Sequence, residues 1–240
     1  MNAVLKKMLE GLKRALGERL HSIVLYGSAA RGDFQKKTSD FNLLLVLRDL
    51  EPASLEALSG PLRRWQRNQQ PAPRLFTPDL IRDAADVFPI EFLDILAHRT
   101  ILHGSDPFAE LEVHPIHLRL QCERELREKM MRLREGYAEC HDTPRNLRRL
   151  LTDSYTTFVA LFRGCLCLLG GEVPVRNPEV VAAFCERAGI GREPFEDVDR
   201  LKRGESVPDL RSIFTRYYDA LSRAIRVVDR FESSKGGTSR

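Results

Sequence analysis

The stretch from Ile23 to Leu47, IVLYGSAARGDFQKKTSDFNLLLVL, limits what this chain can fold into more than any other. Ile23, Val24, Leu25 and Tyr26 are β-formers that stop at Gly27-Ser28, a turn pair. After a polar loop the chain resumes as Asp40-Phe41-Asn42 and runs directly into Leu43, Leu44, Leu45, Val46 and Leu47. An apolar run that short, entered through polar residues, suits a buried sheet strand. Side chains two apart on a strand face the same way, so Asp40 and Asn42 share a face at the strand's mouth. A turn that exposes backbone N–H groups beside two oxygen-bearing side chains suits a phosphate and a metal ion.

This pattern resembles the nucleotidyltransferase signature of the DNA polymerase beta superfamily, in which Gly-Ser and a loop lead to Asp-x-Asp or Asp-x-Glu entering a strand. More narrowly it is similar to the minimal and kanamycin-type nucleotidyltransferases, which carry a helical C-terminal domain. Gly27, Ser28, Arg31, Gly32 and Asp40 match, whereas Asn42 stands where the family places a second carboxylate. The resemblance implies an α+β fold, a nucleotidyltransferase-like α/β mixed sheet followed by an all-α helical bundle. It also implies transfer of a nucleotidyl group, AMP, from a nucleoside triphosphate such as ATP to a small molecule or a protein. The reaction is an in-line attack on the α-phosphorus, clamped by divalent ions on hard oxygen ligands. Carried over to this sequence, Asp40 and Glu91 are the catalytic and Mg2+-binding carboxylates, and Asn42 is a weakened ligand. Glu91 is also a candidate base, and Gly27, Ser28, Arg31 and Lys37, with Lys36 beside it, face the phosphates.

Asn42 keeps two readings open. Its amide oxygen can coordinate but brings no charge, and losing ~2–3 kcal/mol of metal attraction weakens binding by on the order of a hundredfold. The chain is then either a nucleotidyltransferase or a catalytically lapsed nucleotide-binding or regulatory protein. A third reading, a HEPN-type ribonuclease, rests on Arg134 and His141, but Arg14 and His21 repeat that spacing elsewhere.

Around the signature, residues 2–16 place Val4, Leu5, Met8, Leu9, Leu12, Ala15 and Leu16 at helical spacing, closed by Gly17. A helix capped by Ser54 is predicted to run to about Gln69 with Leu55, Leu58, Leu62 and Trp65 inward. A short strand is predicted at Arg74–Phe76, and Thr77-Pro78 opens another helix. Val87 to Ile95, VFPIEFLDI, reads as a third main strand, with Glu91 on one face and Asp94 on the other. Glu91 inside such a strand is costly to bury without a cation or partner.

Beyond His103-Gly104-Ser105-Asp106-Pro107 no strand is predicted. Helices follow from Pro115 to about Cys140, where Leu120, Leu126, Met130, Leu133 and Tyr137 make the stripe, and from Thr143-Pro144 to Gly170-Gly171. Three more are predicted, opening at Asn177-Pro178, spanning Pro194 to Arg203, and spanning Asp209 to Phe231. The expected domains are 1–110, nucleotidyltransferase-like, and 111–232, a helical bundle, with 233–240 a disordered tail.

A net charge of +4 from 38 basic and 34 acidic residues argues against a protein built to neutralise nucleic acid. Glu123–Arg127, Glu125–Lys129 and Glu128–Arg132 are spaced to pair along one helix, whereas Arg145, Arg148 and Arg149 are less neutralised and make the better basic patch. The five cysteines and the histidines have no zinc spacing. No apolar run is long enough for a membrane span, and MNAVLKKMLEGLKR lacks a secretion signal, so a cytoplasmic protein is expected. The expected partners are a nucleoside triphosphate and an acceptor, with homo-oligomerisation left open.

Overall fold

The computed structural model of the protein describes residues 2–30, 40–205, 207 and 209–231. Its contacts divide it into two units, Met1–Val113 and His114–Arg240.

The first unit opens with α1 (Ala3–Leu16). The Asn2 side chain accepts from the Val4 N–H at 2.8 Å, and the helix ends at Gly17, whose φ of 52° suits glycine. Leu5, Met8, Leu9, Leu12 and Leu16 form its buried stripe. Among the described residues four strands follow: β1 (Leu20–Tyr26), β2 (Asn42–Leu47), β3 (Arg74–Phe76) and β4 (Arg99–Gly104). They lie in the order β3-β2-β1-β4, with β2 and β3 parallel and the other pairs antiparallel.

β1 and β2 are apolar almost without interruption because both faces of the sheet are covered. Ile23, Leu25, Leu43, Leu45 and Leu47 pack with α1 and Trp65. Val24, Leu44 and Val46 pack with Ile81, Phe92, Ile95 and Phe108. Burial is complete along the middle of both strands.

Two expectations fail in this unit. The segment after β2 is two helices, α2 (Pro52–Ala57) and α3 (Ser59–Arg67). Pro61 has no N–H for an α-helical bond and its ring crowds the carbonyl four residues back, which breaks the turn near Leu58. Glu51 occupies the N-cap position, and Ser54 is buried inside α2 with its hydroxyl on the Asp49 carboxylate. Leu55, expected inside, is exposed, whereas Leu58 and Trp65 are buried as expected.

The second failure bears on the site. VFPIEFLDI is not a strand. After α4 (Pro78–Asp83), capped by Thr77 as expected, the chain forms α5 (Pro89–Ala97). Pro89 takes the first helical turn, where its missing N–H is harmless, and Glu91 follows in that turn, where the helix dipole favours an acid. Phe92 and Ile95 face the sheet with helical rather than alternating spacing. The strand expected there is instead β4, which pairs with β1.

The second unit is helical: α6 (Pro115–Cys140), α7 (Pro144–Leu168), α8 (Asn177–Ala188), α9 (Glu193–Lys202) and α10 (Leu210–Asp229). These helices begin and end close to the predicted limits, since a proline lies in the first turn of α6, α7, α8 and α9 and the Asp209 side chain caps α10. The rings of Phe158, Tyr217, Phe195, Phe162 and Phe184 form a continuous buried chain linking α7, α8, α9 and α10. On α6, Leu126, Met130 and Leu133 are buried but Leu120 is exposed, contrary to the predicted stripe. The expected pairs Arg127–Glu123, Lys129–Glu125 and Arg132–Glu128 form at 2.8, 3.6 and 2.6 Å. Among the described residues, no helix is long and apolar enough to cross a membrane.

Candidate functional site

The turn after β1 and the entry to β2 meet at one end of the sheet. Gly27–Ala29 makes a single tight helical turn, closed by the Ala30 N–H on the Gly27 carbonyl at 3.0 Å. Gly27 has a φ of +74°, and a methyl placed on it would lie 2.9 Å from the Asn42 amide nitrogen. The turn and Asn42 therefore pack against each other directly, and the positive φ favours glycine.

Asp40 is exposed and Asn42 half-buried. Phe41 between them is buried with Trp65, their ring centroids 6.2 Å apart, and its N–H donates to Gln70 Oε1 at 2.9 Å. Asn42 falls on the face of β2 that Leu44 and Val46 continue, the face that α5 covers.

Across the sheet Tyr26 pairs with Asn42 on one side and with Arg99 on the other. The strand next to β1, Arg99-Thr100-Ile101-Leu102-His103-Gly104, contains no carboxylate. Arg99 is committed to Asp106: Nη2 and Nε donate to Oδ2 at 2.6 and 3.0 Å, and Nη1 donates to the Leu96 carbonyl at 2.6 Å. Burial alone would raise the Asp106 carboxyl, but the bonds from Arg99 and the Phe108 N–H, with the Arg99 charge, hold it below the usual range. Tyr26 is pushed up by burial. Arg74 pulls it back through its charge and a hydrogen bond to the hydroxyl, and nearby Asp94 pushes it up further.

Of the residues singled out from sequence, Gly27, Asp40 and Asn42 come to this end of the sheet. Ser28 contributes its backbone to the turn. Glu91 is not a sheet residue: it sits half-buried in the first turn of α5, and Asp94 is exposed one turn on. Arg31, Lys36 and Lys37 lie outside the described residues. Tyr26, Arg74, Arg99 and Asp106 had no motif to mark them, because long-range pairing alone brings them here.

The divalent ions implied by the resemblance need several carboxylates converging on one point. Among the described residues no three His, Cys, Asp or Glu side chains come together as a metal site. Among the described residues, Asp40, the neutral Asn42 and the α5 acids Glu91 and Asp94 do not converge as a two-ion clamp requires.

The four-stranded mixed sheet with its helices, followed by a helical unit, is an α+β fold with a helical part. A solved structure with this fold is spectinomycin adenyltransferase AAD(9) from Enterococcus faecialis, crystallised with ATP and spectinomycin. It is 13% identical, with a TM-score of 0.56 over 95% of this chain and 98% of that one. No family model matches the sequence, and no curated protein does.

Elsewhere, Arg134, raised above as half of a ribonuclease pair, donates to the Tyr218 hydroxyl at 2.7 Å and lies over that ring. His141 closes α6 and packs on Tyr137.

Proposed function

We propose that this chain binds a nucleoside triphosphate at the Gly27–Ala29 turn and has lost the nucleotidyl transfer for which the fold is built. One observation carries the reading: the row across the sheet that faces α5 runs Asn42, Tyr26, Arg99, without a carboxylate. Asp40 remains at the entry to β2, and the backbone N–H groups of Gly27 and Ser28 would receive phosphate oxygens. A triphosphate can be held by a backbone nest, but in-line displacement needs charge neutralised at both the attacking and leaving oxygens. A single remaining sheet carboxylate is too little for that.

Calorimetric titration of ATP with and without Mg2+, combined with a pyrophosphate-release assay, tests this. The expected result is ATP binding that depends little on Mg2+, with no release. Asn42→Asp is expected to make binding Mg2+-dependent. Pyrophosphate from the native protein would overturn the proposal, as would absence of ATP binding.

The likeness to AAD(9), solved with both a nucleotide and a small-molecule acceptor, favours a second reading: slow transfer of AMP to a small molecule. Release of pyrophosphate that rises with an added acceptor would support it over the first.

A further inference from the structure

A second charged feature lies in the helical unit and is independent of the sheet site. Arg145, Arg148 and Arg149 occupy the first two turns of α7, which have no acid in the opening turn. Cations there oppose the helix dipole, so these arginines do not serve the helix itself. With Lys202, at the end of α9, they line one groove of about 460 Å³ together with Thr152 and Thr156.

The groove is ordered from below. Arg148 is half-buried, and its Nη2 donates to the carbonyls of Leu201 and Glu205, both at 2.9 Å. Those partners are neutral carbonyls, so the position of Arg148 is fixed by hydrogen bonds and not by an ion pair. Lys202 Nζ donates to Thr156 Oγ1 at 2.6 Å, again a neutral acceptor. Arg145 and Arg149 are exposed. Among the described residues none of the four forms an ion pair, and the nearby Glu205 carboxylate is taken by Arg200 at 2.8 Å. Asp153 is the one acid on the groove's wall.

We infer that this groove is a binding site for a compact oligophosphate, the di- or triphosphate group of a nucleotide or an inorganic polyphosphate. Arginine forks and a lysine match dense phosphate oxygens, and two of the four cations are already held in place. A nucleic-acid backbone would need the basic surface to continue past the groove. It does not continue on α6, where Glu123, Glu125 and Glu128 neutralise Arg127, Lys129 and Arg132.

The test titrates inorganic tripolyphosphate into the full chain, with affinity read by calorimetry and location by amide chemical shifts. Shifts are expected at Arg145, Arg149 and Lys202. Arg145→Glu with Arg149→Glu is expected to abolish them and weaken this binding at least tenfold. Arg127→Glu with Arg192→Glu makes the same charge change at cations already paired with Glu123 and Glu196 and should leave both readings intact. If the first pair loses helicity by circular dichroism, the glutamine versions replace it. Comparing ATP with tripolyphosphate separates the nucleotide from the inorganic ligand. Absence of shifts at the groove, unchanged affinity in the arginine variants, or equal loss in the control pair would overturn the inference. A single-stranded oligonucleotide that binds the groove more tightly than tripolyphosphate would overturn it as well.

Discussion

Asn42 stands directly opposite Tyr26 across the β1–β2 pair, and its amide fills the space beside the Gly27 backbone. The residue that departs from the nucleotidyltransferase pattern is therefore a packing partner of the turn that defines that pattern. An aspartate at 42 would put a charge against Gly27, two residues from Asp40, and would need a cation to offset it. The neutral amide suits the site as it stands.

Gly27 should tolerate no side chain. Alanine there combines a strained positive φ with a methyl only 2.9 Å from the Asn42 amide. Gly27→Ala is expected to cost about 1–3 kcal/mol and to abolish ATP binding. Chemical denaturation and calorimetry report both, and a variant with native stability and affinity would refute the assigned turn.

Asp106 ties β4 to its following loop through Arg99. Because its folded pKa lies below the unfolded value, its stabilisation is fully present above the unfolded carboxylate range and is lost as pH falls through the folded value. Stability should therefore decline on acidification below about pH 4. Asp106→Asn should cost about 2 kcal/mol at neutral pH and flatten that part of the decline. Denaturation midpoints across the acid range check this; parallel curves for native and variant would contradict it.

Phe92 is the centre of the face that α5 presents to the sheet, with edge contacts to Phe76, Phe88 and Phe108 at centroid distances of 5.8, 6.4 and 5.7 Å. Phe92→Ala is expected to destabilise the first unit by about 3–5 kcal/mol. Glu91→Gln, in the same helix, should change stability far less. Comparable losses from the two would mean that the segment is not the helix described.

Arg163 on α7 holds the connection to α8, donating to the Pro174 and Val175 carbonyls at 2.6 and 2.7 Å and to Asn177 Oδ1 at 3.0 Å. Arg163→Ala should cost about 2 kcal/mol and open this connection to proteolysis. Limited digestion mapped by mass spectrometry reads the cut site, and protection equal to the native chain would count against the role.

What the sequence determined by itself was whatever depends on local chemistry. Gly17, Thr77-Pro78, Pro115, Pro144, Gly170 and Asn177-Pro178 mark helix ends because caps and backbone restrictions act within a few residues. The runs of β1 and β2 reveal burial on both faces without knowledge of what buries them. Tertiary structure decided the rest. VFPIEFLDI is too short and too evenly apolar for its period to be read, although Pro89 already argued against a central strand. Arg99–Gly104 looks like no strand alone; it becomes one because β1 offers it an edge with matching hydrogen bonds. That exchange moved Glu91 off the sheet and put a strand without carboxylates beside Tyr26. Asn42 was visible in the sequence, but that the strand pairing with β1 on its other side carries no carboxylate was legible only once the strands had been paired.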